Sequence, residues 1–262
     1  MNESKFDGKG MIYSKFRPSY PKEFIEYLQY RVGINKGSII ADIGSGTGIL
    51  SRLLLDIGEK VIAVEPNKSM REVAESDLSK YKNFVSVNAT AESTTLDDNS
   101  VDFITAAQAF HWFDRNLFKI ESKRVLKPFG KVILVWNTRV LTSESEEDYE
   151  KIIRKFCPDF EGFSGRKLSA LYNNIGIESE NEFELFFDGE YEEMTFKNDK
   201  INNLESFLGG ALSASYAPNQ QDENYPAFIA ELEECFNKHA INGKLVMPFV
   251  TGSYVGTCAV RY

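Results

Sequence analysis

"SIIADIGSGTG", residues 38–48, is a short apolar run that ends in an acid and three alternating glycines. A run of this length bounded by turn residues is the pattern of a strand buried on both faces. Glycine-rich loops after such strands commonly cradle phosphates, so the spacing is the test. A Walker loop needs Gly-x-x-x-x-Gly-Lys-Ser/Thr, and the lysine is absent. A dinucleotide loop needs Gly-x-Gly-x-x-Gly, whose third glycine lets strand and helix pack around a pyrophosphate. Here the order is Gly44-Ser45-Gly46-Thr47-Gly48-Ile49, with the third glycine one position early. Asp42 is a second objection, because a carboxylate at the strand end disfavours a pyrophosphate and suits a cation. It reads either as a ligand contact or as a brace for the loop. The loop therefore favours a ligand with positive charge and no phosphate.

On both sides of the loop, strand-like and helix-like periods alternate. "ILSRLLLDIG" places Leu50, Leu53, Leu54 and Ile57 at helical spacing, with Gly58 as a stop. "KVIAVEP" is a second strand, and "NKSMREVAESDLSKY" a helix with Pro66 and Asn67 at its start. "FVSVNA", "SVDFITAAQAF" and "KVILVWN" supply three more strands, with the helix "NLFKIESKRVLK" before the last. Such alternation with short connections predicts a doubly wound α/β fold: a mostly parallel, Rossmann-like sheet with right-handed crossovers and helices on both faces. In such a sheet, ligands bind outside the carboxyl ends of the strands where the order reverses. The unusual residues fall at those ends: Gly44–Gly48, Glu65, Ala91–Glu92, Gln108–Trp112 and Trp136–Asn137.

Beyond about residue 140 the alternation fades. "SESEEDYEKIIRKFC" reads as a helix with a capped acidic start. "EFELFFDGEYEEMTF" alternates like one or two strands, while "NLESFLGGALS" and "PAFIAELEECFNKHA" are helical. "KLVMPFVTGSYVGTCAV" is β-rich and suited to closing the sheet edge, and "SYAPNQQDENYP" is a polar loop.

Composition narrows the function. The chain has 262 residues, 42% hydrophobic and 26% charged, enough apolar material for a sizeable core. A net charge of −9 argues against nucleic acid and anionic membrane as partners. Cys157, Cys235 and Cys258 are widely spaced and odd in number, which fits reduced thiols in a cytoplasmic protein better than disulfides or a zinc site. No metal is expected. No apolar leader or membrane-length run appears in the sequence.

Glu65 follows the second strand about 20 residues past the loop, where an acid accepts hydrogen bonds from ribose hydroxyls. An adenosine with a cationic tail meets both requirements, and S-adenosylmethionine has that form. The set "ADIGSGTG…VIAVEPNKSM…NATAE…VDFITAAQAFHWFD…RVLKPFGKVILVWN" resembles class I S-adenosylmethionine-dependent methyltransferases of the methyltransferase-11 type. "YSKFRPSYP", "LGGALSASYAP" and "VTGSY" are similar to its trans-aconitate methyltransferase-like subgroup. The clear match covers roughly residues 10–138.

The resemblance implies a seven-stranded sheet in one domain over residues 1–262. Its core would be about 35–140 plus C-terminal strands, with cover elements at about 1–30 and 141–225. It also implies that Asp42, Gly44, Ser45 and Gly46 meet the methionine end of the cofactor, and that Glu65 grips the ribose. Pro66 and Met70 would pack at the adenine, with Ala91 and Glu92 at its edge. The family's Gly-Asp before Ala-Glu is here Ala89-Thr90, which removes the acid that reads the adenine amino group. Gln108 would lie near the methyl group, and Tyr13 and Arg17 would close over the cofactor.

Two roles fit His111 in "AQAFHWFD": general base for a hydroxyl or amine acceptor, or packing with Trp112 in the pocket wall. Trp112, Trp136, Asn137, Ser215 and Tyr216 are candidate contacts for the acceptor, while Ser213, Ser215 and Tyr216 also fit a helix end and turn. Arg17 either pairs with an anion or sets the extended path of "RPSYP". His239 reads as surface. The expected function is methyl transfer to a small molecule, with a carboxylate as one acceptor class; the alternative is a non-catalytic S-adenosylmethionine-binding or partner-interaction protein.

Overall fold

A computed structural model describes residues 15–258 apart from residues 59, 141–142, 159, 161–180, 188–189 and 215. Tyr13 and Ser215 thus lie outside the described residues. Helix α1 (Lys22–Tyr27) continues as a π turn over Leu28–Val32. Strand β1 (Ile39–Ile43) leads to α2 (Ile49–Leu55), then β2 (Lys60–Val64), α3 (Lys68–Leu78) and β3 (Phe84–Val87). Next come β4 (Val101–Ala107), a 3-10 turn at Phe110–Trp112, α4 (Arg115–Val125) and β5 (Leu126–Arg139). The later elements are α5 (Glu144–Phe156), α6 (Asn181–Phe186), β6 (Tyr191–Lys197) and β7 (Lys200–Asn202). They end with α7 (Leu204–Leu212), α8 (Tyr225–His239), β8 (Leu245–Met247) and β9 (Phe249–Gly256).

The sheet has seven strands in the order β3-β2-β1-β4-β5-β9-β6. β1 pairs in parallel with both β2 and β4, and the parallel ladder runs from β3 to β5. β9 is antiparallel to both β5 and β6. Side-chain alternation along β5 explains why both faces carry helices. Ile133 and Val135 point to a core shared with Phe24 and Leu28 of α1 and its π turn and with Leu50 and Leu54 of α2. Val132, Leu134 and Trp136 point to the opposite core, shared with Phe118 of α4 and Phe183 and Phe186 of α6. A third apolar cluster joins α5, α7, α8 and β8.

Local signals set the helix starts. The Asn67 side chain accepts from Met70 N at 3.0 Å, and that of Asp114 from Asn116 N and Leu117 N. Three expectations change. "EFELF" is helical, because Phe183, Phe186 and Phe187 at i, i+3 and i+4 all turn into the core around Trp136 and Tyr254. β9 does not close the edge but is inserted between β5 and β6, so β6 is the edge strand. Ser143 precedes α5 without a side-chain cap, and Glu146, instead of returning to the helix start, reaches Arg139 at 3.3 Å.

Candidate active site

β1 and β4 are neighbours in the sheet, but the chain leaves β1 towards β2 and β4 towards β5, so the strand order reverses between them and a crevice lies at their carboxyl ends. The glycine loop forms one wall. Gly44 N and Ser45 N donate to Val64 O at 2.8 and 3.2 Å, folding the loop back over the end of β2. Gly44 has φ +65°, and a Cβ there would lie 2.7 Å from Ala109 Cβ and 3.1 Å from Phe113 Cζ. Only glycine lets the loops after β1 and β4 approach this closely. Gly46 has φ +56°, yet a Cβ there would meet nothing within 4 Å, so its open side is left as a cradle.

Glu65 holds that cradle in shape. Its Oε2 accepts from Gly46 N and its Oε1 from Asn67 N, each at 2.8 Å. Burial raises its carboxyl pKa, and the two amide donors oppose the rise. Each oxygen keeps a further lone pair, so two hydroxyls of a ligand can still bind there. A single acid thus braces the loop and offers acceptors to the cavity.

Asp42 is 1% exposed, with Oδ2 accepting from Ser51 Oγ at 2.5 Å and Oδ1 from Thr105 Oγ1 at 2.7 Å. Burial pushes its carboxyl up to about 6 despite these donors. Gln108, the residue after β4, has φ +57°, a strained conformation for a residue with a side chain. Its N donates to Val135 O at 2.8 Å and its Nε2 to Asn137 O at 3.0 Å, which hold the turn.

The resulting cavity, about 960 Å³ and open to solvent, is lined on its polar side by Asp42, Gly44, Ser45, Gly46, Glu65 and Gln108. Pro66, Met70, Ala91 and Trp112 are among its apolar lining residues. The structure adds Tyr20, Phe113, Asn67 and Thr47 to the wall, which sequence reasoning missed. Phe113 and Tyr20 adjoin recognised residues in "HWFD" and "RPSYP", the only hint available beforehand. Ser45 Oγ and Thr47 Oγ1 are buried without protein partners among the described residues.

Other candidates are placed elsewhere. Trp136 is 1% exposed and packs edge-on to Phe110, Phe183 and Tyr254, so its ring belongs to the core and cannot contact an acceptor. Asn137 is taken up by Pro18 O and Ser19 O on its amide and by Thr251 Oγ1 and Asn198 Nδ2 on its oxygen, pinning the N-terminal segment to the sheet. Glu92 accepts from Asp114 N at 2.9 Å and braces the loop after β4 instead of lining the cavity. His111 is not in the cavity wall; its Nδ1 is buried without a described partner. Burial, then Arg115, push its imidazole down to about 4. Arg17 donates to Ser213 O at 3.2 Å and Tyr216 packs on Phe160; neither lines the cavity. His239 is not free surface but bonds Asp148 at 2.9 Å. The three cysteines are buried thiols that form no disulfide. Among the described residues no helix is long and apolar enough to cross a membrane.

A seven-stranded sheet with only β9 reversed, and with a glycine loop and an acid at its switch point, is the fold of the class I S-adenosylmethionine-dependent methyltransferases. Residues 41–134 match the methyltransferase-11 family model, described as a methyltransferase domain, so this stretch carries such a domain. An uncharacterized methyltransferase of Mycobacterium tuberculosis is 42% identical over 127 residues, 48% of this chain and 49% of that protein. The malonyl-[acyl-carrier protein] O-methyltransferase of a Marinomonas species is 31% identical over 133 residues, 49% of this chain and 48% of that protein. These alignments span about half the length of the relatives. A solved structure from Anaeromyxobacter dehalogenans, named as an inferred type II methyltransferase, superposes with a TM-score of 0.69 at 22% identity. That superposition covers 94% of this chain and 100% of the other.

S-adenosylmethionine is the cofactor that this family and fold imply. The residues present fit it: the open cradle at Gly46, the hydroxyls of Ser45 and Thr47 without partners among the described residues, the two carboxylates and the apolar lining of Pro66, Met70, Ala91 and Trp112.

Proposed function

We propose that the chain transfers a methyl group from S-adenosylmethionine to a carboxylate oxygen of a small-molecule acceptor. The observation that carries this reading is the cavity at the ends of β1, β2 and β4, where Glu65 and Asp42 meet the glycine cradle. When bound, the cofactor would supply an electrophilic methyl group, and an ionised carboxylate acceptor would need no proton removed by the chain. The chain's part is positioning and electrostatics. The Gly46 cradle and Glu65 orient the sugar end, Asp42 supplies negative charge towards the cationic end, and Trp112, Phe113 and Met70 exclude water.

A carboxylate acceptor is favoured because it needs no general base. His111 is outside the cavity wall, and a pKa near 4 makes it a weak proton acceptor. The Marinomonas relative is named as an O-methyltransferase of malonyl-[acyl-carrier protein], which supports an oxygen acceptor, and the trans-aconitate-like motifs support a carboxylate. The chain's acidity disfavours nucleic acid, and its free buried thiols suit the cytoplasm. We read residues 1–262 as one domain, in which segments before 30 and within 141–225 cover the cavity.

Methyl-labelled S-adenosylmethionine incubated with the chain and a metabolite extract tests the reading. Labelled methyl esters, cleaved by mild base and lost with Glu65→Ala, are expected. Label confined to nitrogen or carbon acceptors overturns the carboxylate assignment, and tight cofactor binding with no labelled product favours a binding protein.

A further inference from the structure

Glu92 lies outside the cavity wall but ties two parts of that wall together. The segment after β4 starts at Gln108 and runs through the 3-10 turn at Phe110–Trp112 to Asp114, the N-cap of α4. There Asp114 N donates at 2.9 Å to Glu92 Oε1, on the loop that follows β3. In the sheet, β1 and β2 lie between β4 and β3, so the segment crosses the carboxyl ends of two strands. The glycine loop after β1 and Glu65 after β2 both fall within that span. Residues 108–114 thus form a strap over the crevice, with Glu92 at its far end.

The two ends of the strap are held differently. At its start Gln108 bonds Val135 O and Asn137 O, and Phe110 is fully buried, its ring centroid 4.8 Å from that of Phe186. In the middle Ala109 and Phe113 lie against Gly44, which leaves no room there for a Cβ. Towards the far end Trp112 and Phe113 line the cavity and are half-buried, and Asp114 is exposed. A segment with so few buried contacts belongs to the low-stability part of a fold. Glu92 is a firm post for it, because the loop after β3 is fixed by Glu121 Oε1, which accepts from Thr94 N at 2.7 Å. Folding alone does not require this contact, since water would satisfy an exposed amide at Asp114. What the carboxylate adds is direction: it draws the Trp112–Phe113 wall towards Ala91.

We propose that Glu92 is a positioning residue, a latch that holds the Trp112–Phe113 wall closed and sets how fast ligand enters and leaves the cavity. The inference rests on the cofactor reading of the cavity and is independent of the acceptor. A ligand that reaches from Asp42 to Ala91 lies within the span of the strap, so the strap lifts for passage in either direction. The latch joins two parts of the chain and touches no ligand. It therefore stabilises the closed wall equally with and without ligand, and its loss speeds entry and exit together while affinity holds.

Stopped-flow binding of S-adenosylhomocysteine to the full chain tests it. Tryptophan fluorescence reports on the wall, because Trp112 is one of two tryptophans and Trp136 is buried in the core. Glu92→Ala is expected to raise the association and dissociation rate constants together, each about three- to tenfold, the effect of one lost hydrogen bond. Its Kd stays within about twofold of wild type, which also shows that the variant folds. Glu92→Gln keeps a carbonyl acceptor for Asp114 N and stays within about twofold of wild type in both rates. Unchanged rates in Glu92→Ala overturn the latch. Faster dissociation alone, with affinity lost in proportion, overturns it as well and makes Glu92 an ordinary support of the bound state. Failure of wild type to bind S-adenosylhomocysteine overturns the cofactor reading instead.

Discussion

Asp42→Asn separates the demands of folding from those of binding. In the native chain the carboxyl is raised from 3.8 to about 6 by burial. At 1.36 kcal/mol per pH unit, the ionised form disfavours folding by about 3 kcal/mol above pH 6. The sign follows from proton binding. Between pH 3.8 and about 6 the folded chain holds a proton that the unfolded chain has released, so stability falls as pH rises through that window. Asparagine removes the charge but must donate to one of the hydroxyls of Ser51 and Thr105, losing about 1 kcal/mol of hydrogen bonding. The net gain is therefore about 1–2 kcal/mol at about pH 8. At about pH 4.5 wild type recovers roughly 2 kcal/mol by protonation and the gain disappears. Urea unfolding of dilute wild type and variant at the two pH values measures the difference. Calorimetry with S-adenosylhomocysteine at about pH 8 is expected to show at least tenfold weaker binding by the variant, a trade of function for stability. Equal destabilisation at both pH values would refute the buried-charge argument, and unchanged ligand affinity would refute the role given to that charge.

Other substitutions probe the remaining walls. Glu65→Gln leaves one of the Gly46 and Asn67 amides without its acceptor, which costs about 1–3 kcal/mol in thermal or urea unfolding and weakens S-adenosylhomocysteine binding. Gly44→Ala and Gly46→Ala each bear about 1–2 kcal/mol of left-handed strain. Only Gly44→Ala also collides with Ala109, so unfolding experiments should find it the more damaging, whereas Gly46→Ala keeps the fold and loses the ligand. His111→Ala is expected to leave kcat within about threefold, against the 10²–10⁴-fold loss of a general base; a drop in that larger range restores the imidazole to the reaction. Trp136→Ala, by emptying a site in the aromatic core, is expected to cost about 3–5 kcal/mol of stability, read by denaturant midpoint.

Much of the parallel core was legible in the chain itself, because both of its signals are local. Strands buried on two faces read as apolar runs, and their helices announce themselves with caps such as Asn67 and Asp114. Residue order therefore placed Gly44, Gly46, Glu65, Ala91, Gln108 and Trp112 on one rim, and these residues line one cavity together with Pro66 and Met70, which the family resemblance implied. "EFELF" was misread because alternation and helical spacing are not separable over so few residues; the aromatic core around Trp136 and Tyr254 decides for the helix. Trp136 and Asn137 sit at the expected rim, yet the direction in which each side chain points depends on strand pairing. Trp136 turns into the core and Asn137 ties down residues 18 and 19. Nothing in the sequence places Lys200 against Phe16 O or Arg17 against Ser213 O; these contacts join segments far apart in the chain. Sequence alone determined the parallel sheet core and the rim at which its strands end, because both follow from local pattern. Tertiary structure decided which rim side chains face the cavity and which brace its walls, since both depend on contacts between segments far apart in the chain.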